Sequence, residues 1–282
     1  MNQQLNDFFA SYRRLFVLTG AGISTASGIP DYRDASGDWK HQKPMDYRDF
    51  VASEAARQRY WARSYVGWQR FNRARPNDAH GAIARLEQLG RLVGTVTQNV
   101  DGLHQLAGSQ RVTELHGSLA TVICLDCGNS VSRSSMQRFL QECNPCLETL
   151  SGEVAPDGDA RLESFDESQL DVPGCQSCGG IMKPDVVFFG ESVPPARVQH
   201  CRDLLSSSDA VLVIGSSLMV FSGFRFVREA LQQGLPVVAI NRGRTRADEL
   251  LTQKFDLDCS QALVQALRHV DPGFADSACG KL

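Results

Sequence analysis

A glycine loop that directly follows a short apolar run is the feature that most constrains the fold of this chain. Residues 15–18 (Leu-Phe-Val-Leu) lead into Gly20 and Gly22, as a buried strand leads into a phosphate-binding loop. The usual dinucleotide fingerprint has a third glycine three positions on, where helix and strand pack closely, but this chain has Thr25 there. The loop then continues as Ser-Gly-Ile-Pro-Asp-Tyr-Arg over residues 27–33. The sequence therefore predicts a nucleotide site that differs from that of an ordinary dehydrogenase.

Four apolar, β-branched segments predict the strands of a parallel sheet. They cover residues 14–18, 92–97, 210–214 and 236–240, and each is followed by small or polar residues. Helical patterns such as 82–89 and 224–232 alternate with them, which is typical of βαβ units. Ligands of open α/β sheets bind outside the carboxyl ends of the strands, so we expect these polar groups to converge on one crevice. Small polar residues also end strands that bind nothing, and this alternative stays open.

The chain of 282 residues is long for one domain and short for two, which favours a large domain with a smaller insertion. We predict an α/β fold: a Rossmann-like parallel sheet with helices on both faces, plus a smaller helical and zinc-ribbon module. The predicted large domain is discontinuous and nucleotide-binding. Its segments are 1–40, 76–117 and 186–282. The predicted small module consists of 41–75, whose aromatic and basic residues have helical spacing, and of 118–185, which is rich in cysteine.

Two CxxC pairs predict one structural zinc ion. Cys124 and Cys127, with Cys175 and Cys178, can bring four thiolates into the tetrahedron that Zn²⁺ prefers, and four sulfur ligands leave no position for water. Redox chemistry is the alternative for such pairs, but the glycine after each of these two favours metal. The third pair, Cys143 and Cys146, has Asn-Pro between its cysteines and no glycine after it, so we exclude it from the predicted site.

One histidine has the setting of a catalytic group. His116 lies in the chain between the glycine loops and the cysteine module, where a cleft between domains is expected, and sites prefer such clefts. Its ordinary pKa also suits proton transfer near neutral pH. Gln98, Asn99 and Asp101 follow a predicted strand directly and belong to the same expected crevice.

The charge and the apolar runs limit the classes of partner. The chain has 29 basic and 32 acidic residues, a formal net charge of −3, which argues against bulk affinity for nucleic acid or membranes. The first residues show neither a signal-peptide nor a transit-peptide pattern, and no run of 18 apolar residues occurs. We therefore expect a cytoplasmic protein. A mitochondrial matrix location is the alternative if the source is eukaryotic. The oligomeric state is not encoded in any pattern we find.

Seven motifs in order resemble the sirtuins, the NAD-dependent protein lysine deacylases. They are GAGISTASGIPDYR (20–33), TQNVDGLH (97–104), ELHGS (114–118), the two CxxC pairs, KPDVVFFGE (183–191), GSSLMV (215–220) and AIN (239–241). The resemblance covers residues 12 to 265 approximately. The sequence between the motifs is most similar to the branch of the family that includes a mitochondrial member in animals and many bacterial proteins.

The resemblance implies an NAD site that differs from a hydride-transfer site. The first loop wraps NAD, and the flexible cofactor loop includes Asp31, Arg33 and Tyr32, which stands where phenylalanine is common in the family. By resemblance, the residues expected to contact NAD are Ala21, Gly22, Ile23, Ser24, Asp31, Tyr32, Arg33, Gln98, Asn99, Asp101, Gly215, Ser216, Ser217, Asn241 and, through its backbone, Cys259.

The resemblance also implies catalytic and substrate-binding residues. The family transfers the acyl group of an acyl-lysine to ADP-ribose and releases nicotinamide. His116 would be the general base, Asn99 and Asp101 would position ribose and nicotinamide, and the partners would be acyl-lysine proteins or peptides. The substrate backbone would pair with Val187, Phe188, Phe189 and Gly190 by β-augmentation. Two alternatives stay open, a mono-ADP-ribosyltransferase that modifies protein side chains and a non-enzymatic module that binds NAD.

Two positions of the predicted aromatic helix bear on the acyl preference. Sirtuins that prefer succinyl or malonyl groups carry a Tyr-x-x-Arg pair whose positions correspond here to Ser64 and Gly67. Tyr60 and Arg63 have this spacing one helical turn too early. Small residues at 64 and 67 predict a wider channel for longer or branched acyl groups.

Overall fold

The computed structural model describes residues 3–40, 44–150, 152–154, 158–162 and 165–274. The remaining positions, which include 41–43 of the predicted small module and Cys279 of the large domain, lie outside the described residues. The strands are β1 (Leu15–Thr19), β2 (Leu92–Thr97), β3 (Val112–Glu114), β4 (Gly117–Cys124), β5 (Ser130–Ser132), β6 (Glu153–Val154), β7 (Ala160–Arg161), β8 (Met182–Val186), β9 (Ala210–Ile214), β10 (Val237–Ile240) and β11 (Gln253–Phe255). The α-helices are α1 (Gln3–Ser11), α2 (Tyr47–Ala52), α3 (Glu54–Phe71), α4 (Asp78–Gln88), α5 (Leu103–Leu106), α6 (Arg133–Cys143), α7 (Pro195–Ser206), α8 (Phe221–Gln232) and α9 (Cys259–Val270). None of the helices described combines the length and the apolar character needed to cross a membrane.

Six parallel strands form the main sheet in the order β11-β10-β9-β1-β2-β3. The four predicted strands are confirmed, and their observed bounds differ from the predicted ones by one residue at most. The edge strands β3 and β11 were not predicted. Each has only three residues and carries polar side chains, so neither shows the apolar run that marked the other four.

Alternating side chains of the central strands fill two separate cores. Leu15 and Val17 of β1 belong to the core beneath α1, α4 and α9, whereas Phe16 and Leu18 belong to the core beneath α7 and α8. All four side chains are completely buried. A strand that is apolar on both faces needs a helical layer on each face, and the structure has both layers. The predicted α/β class is thus confirmed.

The strand order reverses between β1 and β9, which are hydrogen-bonded neighbours at the centre of the sheet. The chain builds outward from β1 to β2 and β3 on one side, and from β9 to β10 and β11 on the other. Loops that leave the carboxyl ends of two such strands diverge to opposite faces and leave a crevice between them. The topology alone therefore places a ligand site beyond Thr19 and Ile214, the last residues of β1 and β9.

The small module packs a three-stranded antiparallel sheet, β5-β4-β8, against α2, α3 and α6. The predicted aromatic helix is confirmed as α3. Its Trp61 is completely buried and donates its indole N–H to the carbonyl of Met182 at 3.3 Å. Arg133 of α6 is also buried, donates to the carbonyl of Ser64 at 3.0 Å, and lies over the rings of Trp61 and Trp68 at 5.3 and 5.1 Å. These contacts join α3 to the cysteine-rich segment.

The prediction that Ser64 and Gly67 widen an acyl channel is wrong. Ser64 is 3% exposed, and its carbonyl and hydroxyl both accept hydrogen bonds from Arg133. A Cβ atom at position 67 would lie 2.1 Å from the carbonyl oxygen of Gly158. These positions are small because the module packs directly on them. The spacing of residues along the chain carries no information on what covers that face of α3.

Gly67→Ala is expected to lower the free energy of unfolding by about 1–3 kcal/mol, because the added methyl group overpacks a contact made by backbone atoms. Gly81, in the interior of α4, is the matched control, since nothing lies within 4 Å of a Cβ atom there. Gly81→Ala is expected to raise the free energy of unfolding by about 0.5–1 kcal/mol through reduced backbone entropy. Urea denaturation of both variants measures these changes. Equal effects of the two substitutions would contradict this account of Gly67.

Candidate active site

A cleft of about 960 Å³ opens at the carboxyl ends of the main strands, between the sheet and the small module. It contains most of the residues that the sequence analysis singled out for NAD, catalysis and substrate. Those that line it are Ala21, Gly22, Ser24, Asp31, Tyr32, Arg33, Gln98, Asn99, Asp101, His116, Val187, Phe188, Phe189, Gly190, Gly215, Ser216, Ser217 and Asn241. The expectation that polar strand ends converge on one crevice is therefore met.

The loops after β1 and β9 touch through bare backbone. The amide of Gly22 donates to the carbonyl of Gly215 at 2.8 Å, and a Cβ atom on Gly22 would lie 2.9 Å from the Cα atom of Gly215. Gly215 has a φ of +59°, and a Cβ atom there would lie 2.3 Å from the amide nitrogen of Ile23. Side chains at either position would push the two loops apart. The glycines therefore permit a close approach that shapes the floor of the cleft.

Thr25 replaces the third glycine of the dinucleotide fingerprint because no long helix starts in this loop. The chain instead makes two short 3₁₀ turns, Ala21–Ile23 and Thr25–Ser27. The hydroxyl of Thr25 donates to the carbonyl of Gly22 at 3.0 Å, which fastens the second turn to the first. Gly28 then ends the second turn with a φ of +82°. The two 3₁₀ turns thus account both for the absence of a third glycine and for the greater length of the loop.

A cluster of hydrogen bonds buries the carboxyl group of Asp101. Ser24 donates its hydroxyl to Asp101 Oδ2 at 2.7 Å, and the amide of Leu103 donates to Asp101 Oδ1 at 3.0 Å. The side-chain amide of Asn99 donates to the carbonyl of Gly20 and to Ser24 Oγ, at 3.1 Å each. Burial raises the pKa of Asp101, while the hydrogen bonds from Leu103, Ser24 and Asn99 oppose the rise. The cluster holds three polar side chains in fixed positions at one end of the cleft.

His116 is held as a neutral imidazole with a defined tautomer. Its Nδ1 atom lies 2.8 Å from the carbonyl oxygen of Gln98, and its Nε2 atom lies 2.7 Å from Ser222 Oγ. A carbonyl only accepts, so we assign the ring proton to Nδ1 and the lone pair to Nε2. Burial lowers the pKa of His116 to about 4, the Gln98 carbonyl opposes this, and the charge of Arg197 lowers the pKa further. At neutral pH Nε2 therefore carries no proton.

Gln98 organises the centre of the cleft through both of its ends. Its backbone carbonyl accepts from His116, and its side-chain Oε1 accepts from the hydroxyl of Ser216 at 2.6 Å. A Cβ atom on Gly223 would lie 2.6 Å from Gln98 Nε2, so the first turn of α8 also rests on this residue. One residue thus fixes the relative positions of the histidine, the loop after β9 and α8.

Aromatic side chains line the cleft on the side of the predicted cofactor loop. Trp39 meets Tyr32 and Phe189 edge to face, with ring centroids 6.1 and 5.7 Å apart. The guanidinium of Arg33 lies 4.1 Å from the centre of the Trp39 ring. Asp31 forms an ion pair with Lys40 at 2.5 Å, and this exposed pair adds little stability. Trp39 had no predicted role, because a lone aromatic in a polar loop carries no pattern.

The predicted substrate strand is partly paired within the chain itself. The amide of Val187 donates to the carbonyl of His116, and the amide of Tyr47 donates to the carbonyl of Phe189, both at 2.8 Å. The amide of Phe188 donates to the carboxylate of Glu191 at 2.9 Å. A peptide that pairs with this segment would have to use its remaining backbone groups. Pairing by Val187, Phe188, Phe189 and Gly190 as a set stays a prediction.

Two residues of the predicted NAD site do not line the cleft. Ile23 is 1% exposed and Cys259 is 9% exposed, and both side chains belong to the core beneath α1, α4 and α9. The thiol of Cys259 points to the carbonyl of Ile240 at 3.7 Å, and burial raises the pKa of this thiol to about 12. Contact with NAD through the backbone of Cys259, as the resemblance implies, stays a prediction.

Several residues that line the cleft beyond Ser217 have no role predicted from the sequence. They are Leu218, Met219, Val220, Phe221, Ser222 and Arg225. Leu218 has a φ of +57°, which is uncommon for a residue with a side chain, and its amide donates to Ser216 Oγ at 3.2 Å. The GSSLMV motif identified the loop, but nothing in it indicated that Ser222, two residues further on, contacts the histidine.

The two predicted cysteine pairs come together as a metal centre. The sulfur atoms of Cys124, Cys127, Cys175 and Cys178 all lie within 4.8 Å of one another. The Cys124–Cys178 and Cys127–Cys175 separations are 3.6 and 3.7 Å. A tetrahedron with Zn–S bonds of about 2.3 Å has sulfur atoms about 3.8 Å apart. The four thiols therefore fit one zinc ion.

The glycine after each pair has a structural reason. Gly128 and Gly179 have φ values of +73° and +75°, and their amides donate to the carbonyls of Cys124 and Cys175 at 3.0 and 2.7 Å. This turn needs a left-handed residue, which glycine adopts without strain. Cys143 and Cys146 are not in the cluster, as predicted.

Comparison with known proteins identifies the family. The model of the Sir2 family matches residues 20–222. The chain is 56% identical to NAD-dependent protein deacetylase 2 of Bradyrhizobium diazoefficiens, over 93% of this chain and 96% of that protein. It is 49% identical to NAD-dependent protein deacetylase 1 of Streptomyces coelicolor, over 94% of this chain and 88% of that protein. The chain therefore belongs to the Sir2 family, the sirtuins, and the resemblance seen in its motifs is confirmed.

Solved structures of the family have the same fold. A Sir2 with a p53 peptide and NAD⁺ has a TM-score of 0.76 and 28% identity, over 97% of this chain and 99% of that chain. A Sir2 bound to a propionylated peptide has a TM-score of 0.76 and 29% identity, over 96% of this chain and 99% of that chain. The fold and the site motifs of this chain are thus those of the Sir2 family.

The purified protein is expected to hold one zinc ion per chain, because four thiols of suitable spacing form a single cluster. Cys178→Ser is expected to abolish this zinc and to lower the thermal unfolding temperature, whereas Cys143→Ser keeps both unchanged. Metal analysis by plasma mass spectrometry and a thermal melt provide the measurements. Zinc loss in the Cys143 variant would show that the ligand set is wrong.

Acid is expected to destabilise the fold, because two histidines with lowered pKa values bind protons more readily in the unfolded chain. Desolvation lowers the pKa values of the buried His104 and the half-buried His116 from 6.5 to about 4, so the unfolded chain binds more protons than the folded chain between these pH values. The free energy of unfolding should be highest above pH 6.5 and fall as the pH drops towards 4. Urea denaturation between pH 5 and 7 measures the slope.

The control for this pH dependence is a pair of histidine variants. His104→Gln should flatten the slope between pH 5 and 7, whereas His269→Gln, at an exposed residue near the end of α9, should not. A slope that neither substitution changes would mean that another group carries the pH dependence.

Proposed function

We propose that the protein is an NAD-dependent protein lysine deacylase that moves the acyl group of an acyl-lysine to ADP-ribose and releases nicotinamide. The observation that carries the proposal is His116, whose Nε2 lone pair lies in a cleft of about 960 Å³. The cleft lies at the switch point of a Rossmann-like sheet, and the Ser24–Asn99–Asp101 cluster is part of its wall. Relatives that cover more than 90% of the chain are NAD-dependent protein deacetylases.

The chemistry of the cleft suits NAD. The loops that carry Gly20, Gly22 and Gly215 line the cleft at the strand ends, where a pyrophosphate binds in this topology. The cluster of Asn99 and Asp101 offers fixed donors and acceptors for an amide and for sugar hydroxyls. When bound, NAD would supply the bond to nicotinamide that breaks and the ribose that receives the acyl group. We propose that the residues predicted from the sequence to contact NAD do so.

His116 would accept a proton at Nε2 from a ribose hydroxyl. The Gln98 carbonyl keeps the other ring proton on Nδ1 and stabilises the imidazolium that then forms. A base with a lowered pKa is neutral throughout the physiological range, so no proton must leave before the reaction begins. The aromatic wall of Tyr32, Trp39 and Phe189 would exclude water from the reacting sugar.

Several finer points belong to the same proposal. Acyl-lysine proteins are the proposed substrates, and the net charge of −3 supports the absence of nucleic-acid and membrane partners. We propose that residues 1–40, 76–117 and 186–282 act as the NAD-binding domain and that 41–75 and 118–185 act as the small module. A cytoplasmic location is proposed from the sequence alone.

His116→Ala is expected to lower acyl transfer by about 10²–10⁴-fold, because a placed general base is lost, with little change in NAD affinity. His269→Ala, at an exposed histidine of α9, is the matched control and should keep wild-type turnover. The assay incubates NAD with peptides that carry acetyl, propionyl, butyryl, longer, branched and dicarboxylic acyl-lysines. Mass spectrometry then follows nicotinamide, free lysine and O-acyl-ADP-ribose.

Two outcomes would contradict the proposal. If nicotinamide is released while ADP-ribose appears on protein side chains, the protein is a mono-ADP-ribosyltransferase. If NAD binds and no peptide yields nicotinamide, the protein is a non-enzymatic NAD-binding module. Equal activity of wild type and His116→Ala would remove His116 from the mechanism.

A further inference from the structure

Ser222 is a hydroxyl group at the reacting end of the cleft to which the mechanism has so far given no role. It is the second residue of α8, lines the cleft and is partly exposed. Its Oγ atom lies 2.7 Å from His116 Nε2, the same nitrogen that would accept the substrate proton. The hydroxyl therefore lies in the path of any proton that reaches the histidine from the cleft.

The direction of this hydrogen bond follows from the other side of the ring. Nδ1 carries the proton because its partner is the carbonyl oxygen of Gln98, which cannot donate. Nε2 then has one in-plane lone pair, and Ser222 must donate its hydroxyl proton to it. The lone pair of the neutral base is already occupied. Ser222 Oγ keeps its own lone pairs, and no other described residue donates a hydrogen bond to it.

The serine is held in place by the residue that also holds the histidine. Gly223, the next residue of α8, is so close to Gln98 that a Cβ atom there would lie 2.6 Å from Gln98 Nε2. The backbone carbonyl of the same Gln98 orients the His116 ring. Gln98 therefore contacts both the His116 ring and the residue next to Ser222.

A substrate oxygen cannot reach His116 directly without moving Ser222. It would have to occupy the point about 2.7–3.0 Å from Nε2 along the lone pair, and Ser222 Oγ is already there. Displacement would break a hydrogen bond and turn a side chain on a packed helix. Transfer through Ser222 keeps every contact, since its oxygen can accept one proton while its own proton moves on.

We propose that Ser222 is a further catalytic residue, which relays the proton from a sugar hydroxyl in the cleft to His116. This inference rests on the proposed deacylase function. The sugar O–H bond breaks and its proton passes to Ser222 Oγ, while the original Ser222 O–H bond breaks and that proton forms the new N–H bond at His116 Nε2. Ser222 is unchanged at the end, the sugar oxygen carries the negative charge, and His116 is an imidazolium.

The first test uses the ligand-free protein. Nitrogen-15 NMR of the histidine side chains should show a hydrogen-bonded, unprotonated Nε2 for one signal, assigned by its loss in His116→Ala. Ser222→Ala should shift this Nε2 resonance away from its hydrogen-bonded position and leave the Nδ1 resonance protonated. Ser222→Thr, which retains the hydroxyl, should restore the wild-type shift. An unchanged Nε2 resonance in Ser222→Ala would overturn the hydrogen bond and the relay with it.

The second test separates proton transfer from the earlier bond cleavage. Ser222→Ala should lower kcat for O-acyl-ADP-ribose formation by about 10–100-fold, a fraction of the full effect of losing the base. Exchange of labelled nicotinamide into NAD in the presence of acyl peptide requires no proton at His116 and should stay near the wild-type rate. Ser222→Thr should recover most of kcat. Ser207→Ala, which removes a hydroxyl bonded to the carbonyl of Leu204 at the end of α7, is the matched control.

The results of the second test are decisive in either direction. Wild-type or higher kcat in Ser222→Ala would mean that the hydroxyl only caps the base and is displaced by substrate. Equal losses of nicotinamide exchange and of kcat would indicate a structural role and would also overturn the relay. Failure of the proposed function is distinguishable, because wild-type protein would then form no O-acyl-ADP-ribose with any peptide while the NMR result could still hold.

Discussion

The close contact between the Gly22 and Gly215 backbones is the constraint on which the cleft depends. It ties the loop after β1 to the loop after β9 across the point where the strand order reverses. Each loop then delivers a serine to a different polar group, since Ser24 bonds to Asp101 and Ser216 bonds to Gln98. A contact that only glycine allows therefore sets the distance between the two halves of the site.

From these serines, hydrogen bonds run across three strand ends to the histidine. Gln98 follows β2, accepts from Ser216 with its side chain, and orients His116 with its backbone. Such groups are fixed before any ligand arrives, so little reorganisation is needed when charge develops in the reaction. Burial serves the same end, because it keeps the Nε2 lone pair of His116 unprotonated at neutral pH. The packing of the two glycine loops is thus connected, through Ser216 and Gln98, to the histidine that would accept a proton.

The sequence predicted the parts of this protein that leave local patterns. The four central strands of the main sheet, the metal cluster and the polar strand ends follow from apolar runs, CxxC spacing and the left-handed glycines Gly128 and Gly179. The short edge strands β3 and β11 had too few residues for any periodicity. The space around Gly67 and the contact of Ser222 with His116 depend on segments more than 90 residues away in the chain. Tertiary packing decides such features, and no local pattern records it.

The aromatic contacts of α3 connect the cysteine cluster to the predicted substrate segment. Tyr60 lines the cleft, and its ring centroid lies 5.2 Å from that of Phe188, while the neighbouring Trp61 is bonded to Met182 on the strand that follows the second cysteine pair. The second cysteine pair lies just before that strand in the chain. Because the same helix contacts both this strand and the predicted substrate segment, the position of that segment depends on the order of the cysteine cluster. Ordering of the four thiols would thereby lower the conformational entropy that the segment loses when a peptide pairs with it.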